Sequence, residues 1–190
     1  MNPRRIVAFV GLRCAGKSSL ACSWAARVGV PAFDLDELLL AEGDESIDSA
    51  GELLSALGKV EFRARESRAL TRFLDEQSGA AALATGGGAV LLPENRSALG
   101  EVCLVVWLDA PAAVLAARLR ADDTSRPSLT GLEPAAELAR LATEREALYR
   151  AVADLRLDAS LPPKELEREL TRHLHKQADG GFVLLEDGGH

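Results

Sequence analysis

The stretch FVGLRCAGKSSL, Phe9 to Leu20, decides how the rest of the chain is read. Before it lies the apolar run Ile6–Val10, short and uncharged like a buried parallel strand, which ends at Gly11. After it Leu20, Ala21, Trp24, Ala25 and Val28 recur at helical spacing until Gly29 stops them. Between strand and helix, Gly11 to Ser18 fits G-x-x-x-x-G-K-[ST]. Glycines there let the backbone curl so that successive N–H groups point inward and hold phosphate oxygens. The following helix aims its positive end at the same point. Lys17 then reaches the β- and γ-phosphates, and the Ser18 hydroxyl ligates Mg²⁺. The pattern arises by chance in well under ~1% of chains of this length. Cys14, inside the loop, reads as a small filler, with a thiol acidified by the surrounding N–H groups as the alternative.

Bulk composition limits what such a site can serve. The 190 residues are enough for one domain with a full core, and the 47% apolar and 27% charged content is that of a globular protein. No apolar run approaches the ~18 residues of a membrane span, and Ile6–Val10 is too short for a signal-peptide core, so a cytoplasmic protein without membrane contact is expected. Three cysteines form no closed disulfide set and show no metal-ligand spacing. A net charge of −7 argues against nucleic-acid partners and leaves local arginines to bind small anions.

Further along, strands and helices alternate. Val30–Phe33 reads as a strand with Asp34 and Asp36 at its end. Residues 37–61 read as helix broken near Gly43, Gly51 and Gly58, followed by a long helix from about Val60 to Gln77. Ala80–Thr85 is a thin strand ending in Gly86-Gly87-Gly88, and Glu101–Asp109 is the clearest central strand. Ala112–Arg120 and Pro134–Ala153 read as helices, Arg156–Asp158 as a strand and Pro163–Lys176 as a last helix. The tail 177–190 is expected to be loosely held. Such alternation implies a parallel sheet covered on both faces, with ligands at the carboxyl ends of its strands. The glycine loop, the aspartate pair and the triple glycine all fall on that edge.

A phosphate loop serves GTPases, ATPases and small-molecule kinases alike. The chain lacks an Asn-Lys-x-Asp guanine-reading segment and is too short for a large motor core. A kinase needs an acceptor pocket and a cover that excludes water. Asp34 and Asp36, alternating at a strand end, would point to opposite sides, one to the magnesium and one to an acceptor hydroxyl. The alternative is that they cap the next helix. Arg63 and Glu66 lie three apart on one helix face, a spacing that usually means a surface ion pair. Gly86–Gly88 permits close approach of a ligand to the backbone. Arg126-Pro127 lies in a polar stretch between two helices, a candidate lid over about 121–133. Arg145, in "EREALYR", reads by itself as one more helical arginine.

Taken in order, "GLRCAGKSS", "FDLD", "EFRARE", "TGGGAV", "RPSL" and "EREALYRAVADLRLD" resemble the shikimate kinase family over about residues 5–175. The resemblance implies an α/β fold of three layers, α/β/α, with five parallel strands in order 2-3-1-4-5. It implies a single domain over 1–176, with a substrate-binding segment at about 34–65. It implies transfer of the ATP γ-phosphoryl group to the 3-hydroxyl of shikimate with Mg²⁺, by a monomer. On this basis Gly11, Cys14, Ala15, Gly16, Lys17, Ser18 and Ser19 would hold the nucleotide. Arg118 would lie against adenine, with Arg120 the alternative. Ser18 and Asp34 would serve the metal. Asp36 would activate the acceptor hydroxyl, Arg63, Gly86–Gly88 and Arg145 would bind the acceptor, and Arg126 would meet the phosphoryl group alongside Lys17.

Departures from the family pattern cluster on the acceptor side. Leu40 stands where a glutamate is common, the segment before Phe62 is about three residues longer than usual, and an aromatic expected to line the pocket is missing from it. The lid reads Arg-Pro-Ser-Leu, and "DASLPPK" lacks the usual basic residue. Two other readings therefore stand beside shikimate kinase: a kinase of the same fold for another cyclitol or sugar acid, and a non-catalytic binding module. Turnover with shikimate, turnover only with another acceptor, and ATP binding without turnover separate the three.

Overall fold

A computed structural model describes residues 4–41, 47–121 and 133–185. Strand β1 (Ile6–Val10) is buried at every position and leads through the glycine loop into α1 (Lys17–Val28). There follow β2 (Ala32–Asp34), α2 (Leu35–Ala41), α3 (Ala50–Glu76), β3 (Ala81–Ala84), a 3₁₀ turn (Ala89–Leu91) and α4 (Pro93–Val102). The chain continues through β4 (Cys103–Asp109), α5 (Ala112–Ala121), α6 (Pro134–Val152), β5 (Leu155–Asp158) and α7 (Pro163–His173) to β6 (Leu174–Lys176) and β7 (Phe182–Leu184). The first five strands form one parallel sheet in the order β2-β3-β1-β4-β5, as expected. Helix α1 packs across β2 and β3 and onto α7, while α4 packs on β4 with α3 and α6 beside it.

This order places the site. The chain leaves β1 to one side, returns to pair β3 with β1, then crosses to pair β4 on the other side, so a crevice opens at the carboxyl end of β1. Register fixes what meets there. Phe9 pairs with Ala84, and Ala84 pairs with Asp34. The ends of β1, β2 and β3 are therefore level. Thr85 locks this alignment, donating both its backbone N–H (3.1 Å) and its hydroxyl (2.9 Å) to the carbonyl of Phe9.

Several elements differ from their sequence reading. Helix α3 starts at Ala50, not near Val60. Ser49 caps it by accepting the Glu52 N–H (3.2 Å), and Gly51 lies in the first turn, where a helix tolerates glycine. Gly58 does interrupt it, with φ 73° and ψ 167°. Residues 101 and 102 end α4 rather than begin β4. Only Asn95 and Leu99 of α4 are buried, too brief a stripe for periodicity to detect. Residues 174–176 leave the last helix and pair antiparallel with β7.

Part of the tail expected to be loose belongs to the fold. Phe182 is 3% exposed, and its ring lies 5.1 Å from that of buried Trp24, which itself packs edge-on against Phe9 of β1. Its N–H donates to the carbonyl of Arg4 (2.8 Å). Phe182 alone of the apolar patch 182–185 is held by a partner ring, a contact that sequence spacing does not reveal, while Val183, Leu184 and Leu185 stay exposed. No helix among the described residues is long and apolar enough to cross a membrane. Phe182→Ala should cost about 3–5 kcal/mol in chemical denaturation, as expected for a buried phenylalanine; wild-type stability would show that this hairpin is detachable.

Candidate active site

The phosphate loop is shaped by three positive-φ residues, Gly11 (141°), Cys14 (63°) and Gly16 (90°). A side chain at Gly11 would collide with the carbonyl of Leu108 in β4, so only glycine lets the chain leave the sheet through the crevice. Cys14 holds the left-handed conformation while carrying a side chain, half-buried at the loop surface. No side chain caps the start of α1, which leaves its first N–H groups available to an anion. Lys17 is buried and folds back, its Nζ donating to the carbonyl of Leu12 (2.9 Å).

Asp34 faces two ways. Its Oδ2 accepts the Ser18 hydroxyl (2.5 Å) and its Oδ1 accepts the backbone N–H of Asp36 (2.9 Å). The expectation that the two aspartates alternate along a strand is therefore corrected. The strand stops at Asp34, and Asp36 sits in the first turn of α2. Capping of that helix is one of Asp34's functions, alongside its approach to Ser18. A hydroxyl and a carboxylate oxygen this close are hard donors that fit Mg²⁺. No group of three or more His, Cys, Asp or Glu that could hold a metal ion occurs among the described residues.

Beside the loop lies a cavity into which Asp36, Arg63, Glu66, Gly86–Gly88 and Arg145 all converge. The three glycines are explained by what crowds them. A Cβ at Gly86 would lie 2.5 Å from Glu66 Oε1 and 3.1 Å from Asp36 Oδ1. One at Gly87 would lie 3.2 Å from the backbone nitrogen of Arg13, and one at Gly88 would strike the Arg63 guanidinium. The carbonyl of Gly87 accepts from both Arg145 Nη1 (2.7 Å) and the Tyr149 hydroxyl (2.6 Å), using both lone pairs. Burial pushes the Tyr149 phenol up to about 12, which keeps it a donor at neutral pH.

Arg63 and Glu66 do not form the surface pair that their spacing suggests. Arg63 Nη1 donates to Glu66 Oε2 (2.5 Å), and the Glu66 side chain is only 1% exposed. Its Oε1 is buried and accepts no hydrogen bond among the described residues. Burial raises the Glu66 carboxyl above the ordinary value of 4.5, against the opposing pull of Arg63. Leu54 and Phe62 supply apolar wall; the ring there directly follows the longer segment, which itself contains no aromatic residue. Leu40, on α2, packs against the hydrophobic core.

On the far side of the loop, Cys14, Ala15, Gly16 and Ser19 line a second cleft together with Arg118 and Lys164. Arg118 Nη1 lies 3.4 Å from the carbonyl of Cys14. Arg120 instead points outward, 3.9 Å from Glu133 and well exposed. Of the two arginines weighed for the base, Arg118 is the one at the cleft. Arg126 and most of the candidate lid, residues 122–132, lie outside the described residues.

Sequence reading missed Tyr149, Arg13 and Glu137 as members of this site. A signal was present: Glu137, Leu141, Arg145 and Tyr149 recur every four residues, which puts them on one face of α6. Asn95 was also missed. Fully buried, it donates to the carbonyl of Ala89 (2.9 Å) and accepts from Ser67 (2.6 Å), bracing the turn after the triple glycine against α3.

A parallel sheet with a phosphate loop at its crevice, flanked by a second cleft and an adjoining polar cavity, is the frame of an ATP-dependent small-molecule kinase. The family model described as shikimate kinase matches residues 13–176. The chain is 37% identical over 193 residues to a shikimate kinase of Nitrobacter winogradskyi, covering 94% of this chain and 86% of that one. It is 38% identical to shikimate kinase 2 of Yersinia enterocolitica, covering 90% and 94%. Its fold superposes on a shikimate kinase from Acinetobacter baumannii, solved in complex with shikimate, with a TM-score of 0.79 at 27% identity over 90% and 91% of the two chains. The chain belongs to the shikimate kinase family.

Glu66→Gln should raise the KM for the acceptor while leaving the nucleotide KM within about twofold, since Arg63 loses its charged partner but the phosphate loop is untouched. Its folded carboxyl is raised, so the folded state holds the extra proton. Wild-type stability relative to this variant should therefore fall as pH rises from 4.5 through the raised value, measured by thermal melts in a pH series.

Proposed function

We propose that this protein transfers the γ-phosphoryl group of ATP to the 3-hydroxyl of shikimate. The observation that carries the reading is a single cavity in which Asp36 faces Arg63 and Arg145 against the wall of the phosphate loop. A ring bearing one carboxylate and several hydroxyls matches that set: guanidinium groups for the carboxylate, carboxylates and backbone for the hydroxyls. The identity with curated shikimate kinases over most of the chain supports the same acceptor.

The steps follow from the residues. The loop N–H groups and the start of α1 hold the β- and γ-phosphates, and Lys17 leaves or shares its bond to Leu12 to reach them. Ser18 and Asp34, joined by a hydrogen bond, would hold Mg²⁺, which would supply neutralisation of the charge on the phosphoryl oxygens. Arg63, steadied by Glu66, and Arg145, steadied by Gly87, grip the acceptor carboxylate. Asp36 accepts the proton of the acceptor hydroxyl and aligns its oxygen with the phosphorus. The buried Glu66 Oε1 offers a further acceptor for a ring hydroxyl. Arg126 is assigned to the transferring phosphoryl group by family resemblance alone, and Arg118 to the adenine. The protein is read as a monomer by family resemblance alone, and its three free thiols suit a reducing compartment such as the cytoplasm.

An ADP-release assay with shikimate and a panel of cyclitols and sugar acids tests the reading; turnover confined to another acceptor would replace it. Lys17→Ala should reduce turnover to background. Asp36→Asn should lower kcat by about 10²-fold or more with nucleotide KM nearly unchanged, and wild-type kcat would remove Asp36 from the mechanism. Arg63→Ala and Arg145→Ala should each weaken acceptor binding by about 1.5–3 kcal/mol, read as KM or by calorimetry.

A further inference from the structure

Arg13 occupies an unusual position. It belongs to the phosphate loop, yet its side chain lines the acceptor cavity together with Arg63 and Arg145. Its Nη2 pairs with Glu137 in the first turn of α6, and the Glu137 side chain is 0% exposed. The Arg13 side chain is itself only 13% exposed. Its Nε–H is buried and donates to no acceptor among the described residues.

These facts separate two possibilities. A buried ion pair that serves only to join the loop to α6 repays its desolvation when its remaining donors and acceptors are satisfied. Here one buried donor is left over, on a side chain that borders the cavity. A buried N–H without a partner is costly, and a ligand oxygen removes that cost. The guanidinium is also already immobilised by Glu137, so a ligand need not freeze a long side chain.

We propose that Arg13 is a further acceptor-recognition residue. Its Nε–H donates to an oxygen of the bound acceptor, and Glu137 is the positioning residue that orients it. The pocket thus reads its ligand with three arginines from three elements: the phosphate loop, α3 and α6. This rests on the acceptor reading above. The competing source of an oxygen for Arg13 is the γ-phosphoryl group of the nucleotide, and kinetics distinguish the two.

The test uses the full chain and the acceptor that the wild type turns over best, so a wrong acceptor and a wrong role for Arg13 give different failures. Arg13→Lys keeps a charge opposite Glu137 but loses the Nε donor. Arg13→Met/Glu137→Leu removes both charges, so no carboxylate is left buried alone if the single change unfolds the chain. Both variants should melt near the wild-type temperature. Both should show acceptor KM raised about tenfold or more, and weakened acceptor binding by calorimetry, with nucleotide KM within about twofold. A folded double variant with wild-type acceptor KM would reduce the pair to a structural tie and overturn the proposal. A loss confined to nucleotide KM or to kcat would assign Arg13 to the phosphoryl group and overturn it equally.

Discussion

Gly87 is the point on which the two halves of the site depend. Its α-carbon rests against the phosphate loop, so close that a methyl there would press on the backbone of Arg13 and Gly11. Its carbonyl receives the arginine and the tyrosine of α6. One residue without a side chain thereby joins the nucleotide cradle, the acceptor cavity and the helix that carries Arg145. The spacing between donor and acceptor is set by packing of rigid elements, which is what a reaction that relies on positioning needs.

Charge is organised the same way. The chain is acidic overall, with a net charge of −7, but around the cavity cations gather: Arg13, Arg63 and Arg145, with Lys17 folded onto the adjoining loop. Two of the arginines are fixed by buried carboxylates, Glu66 and Glu137, and a third by a carbonyl. Each guanidinium is oriented before any ligand arrives. The cost of burying these pairs is carried by a core running from Phe9 through Trp24 to Phe182 on one side of the sheet and by Trp107 stacked on Tyr149 on the other.

The sheet was legible because its strands are short apolar runs ended by glycine or aspartate, and because the loop motif fixes strand, turn and helix in sequence. Ile6–Val10 and Lys17–Val28 fall where spacing puts them. The elements misread were those whose partners are distant. Helix α4 shows only two buried residues, and β6 exists only because β7 folds back to pair with it. At the site, the motif residues singled out for their own chemistry, Asp36, Arg63 and Arg145, do line one cavity. Those recruited by packing were not legible: Glu66 looked like half of a surface pair, and Tyr149 and Glu137 like ordinary helical positions.

By itself, then, the sequence pointed to the chemistry and the layering: a phosphate cradle, hard oxygen donors and a parallel sheet from alternating elements, while the strand order and the guanidinium groups for the acceptor came from the resemblance of its motifs to a family. Local backbone preferences and side-chain chemistry are properties of a few adjacent residues, so they survive in a linear reading. The tertiary structure decided which of those groups are buried, which way Asp34 faces, that Arg118 and not Arg120 borders the second cleft beside the loop, and that Arg13 turns from the phosphate loop into the cavity lined by Arg63 and Arg145. Burial and direction depend on what the opposite wall supplies, and that wall comes from residues up to 124 positions away in the chain, as the pairing of Arg13 with Glu137 illustrates.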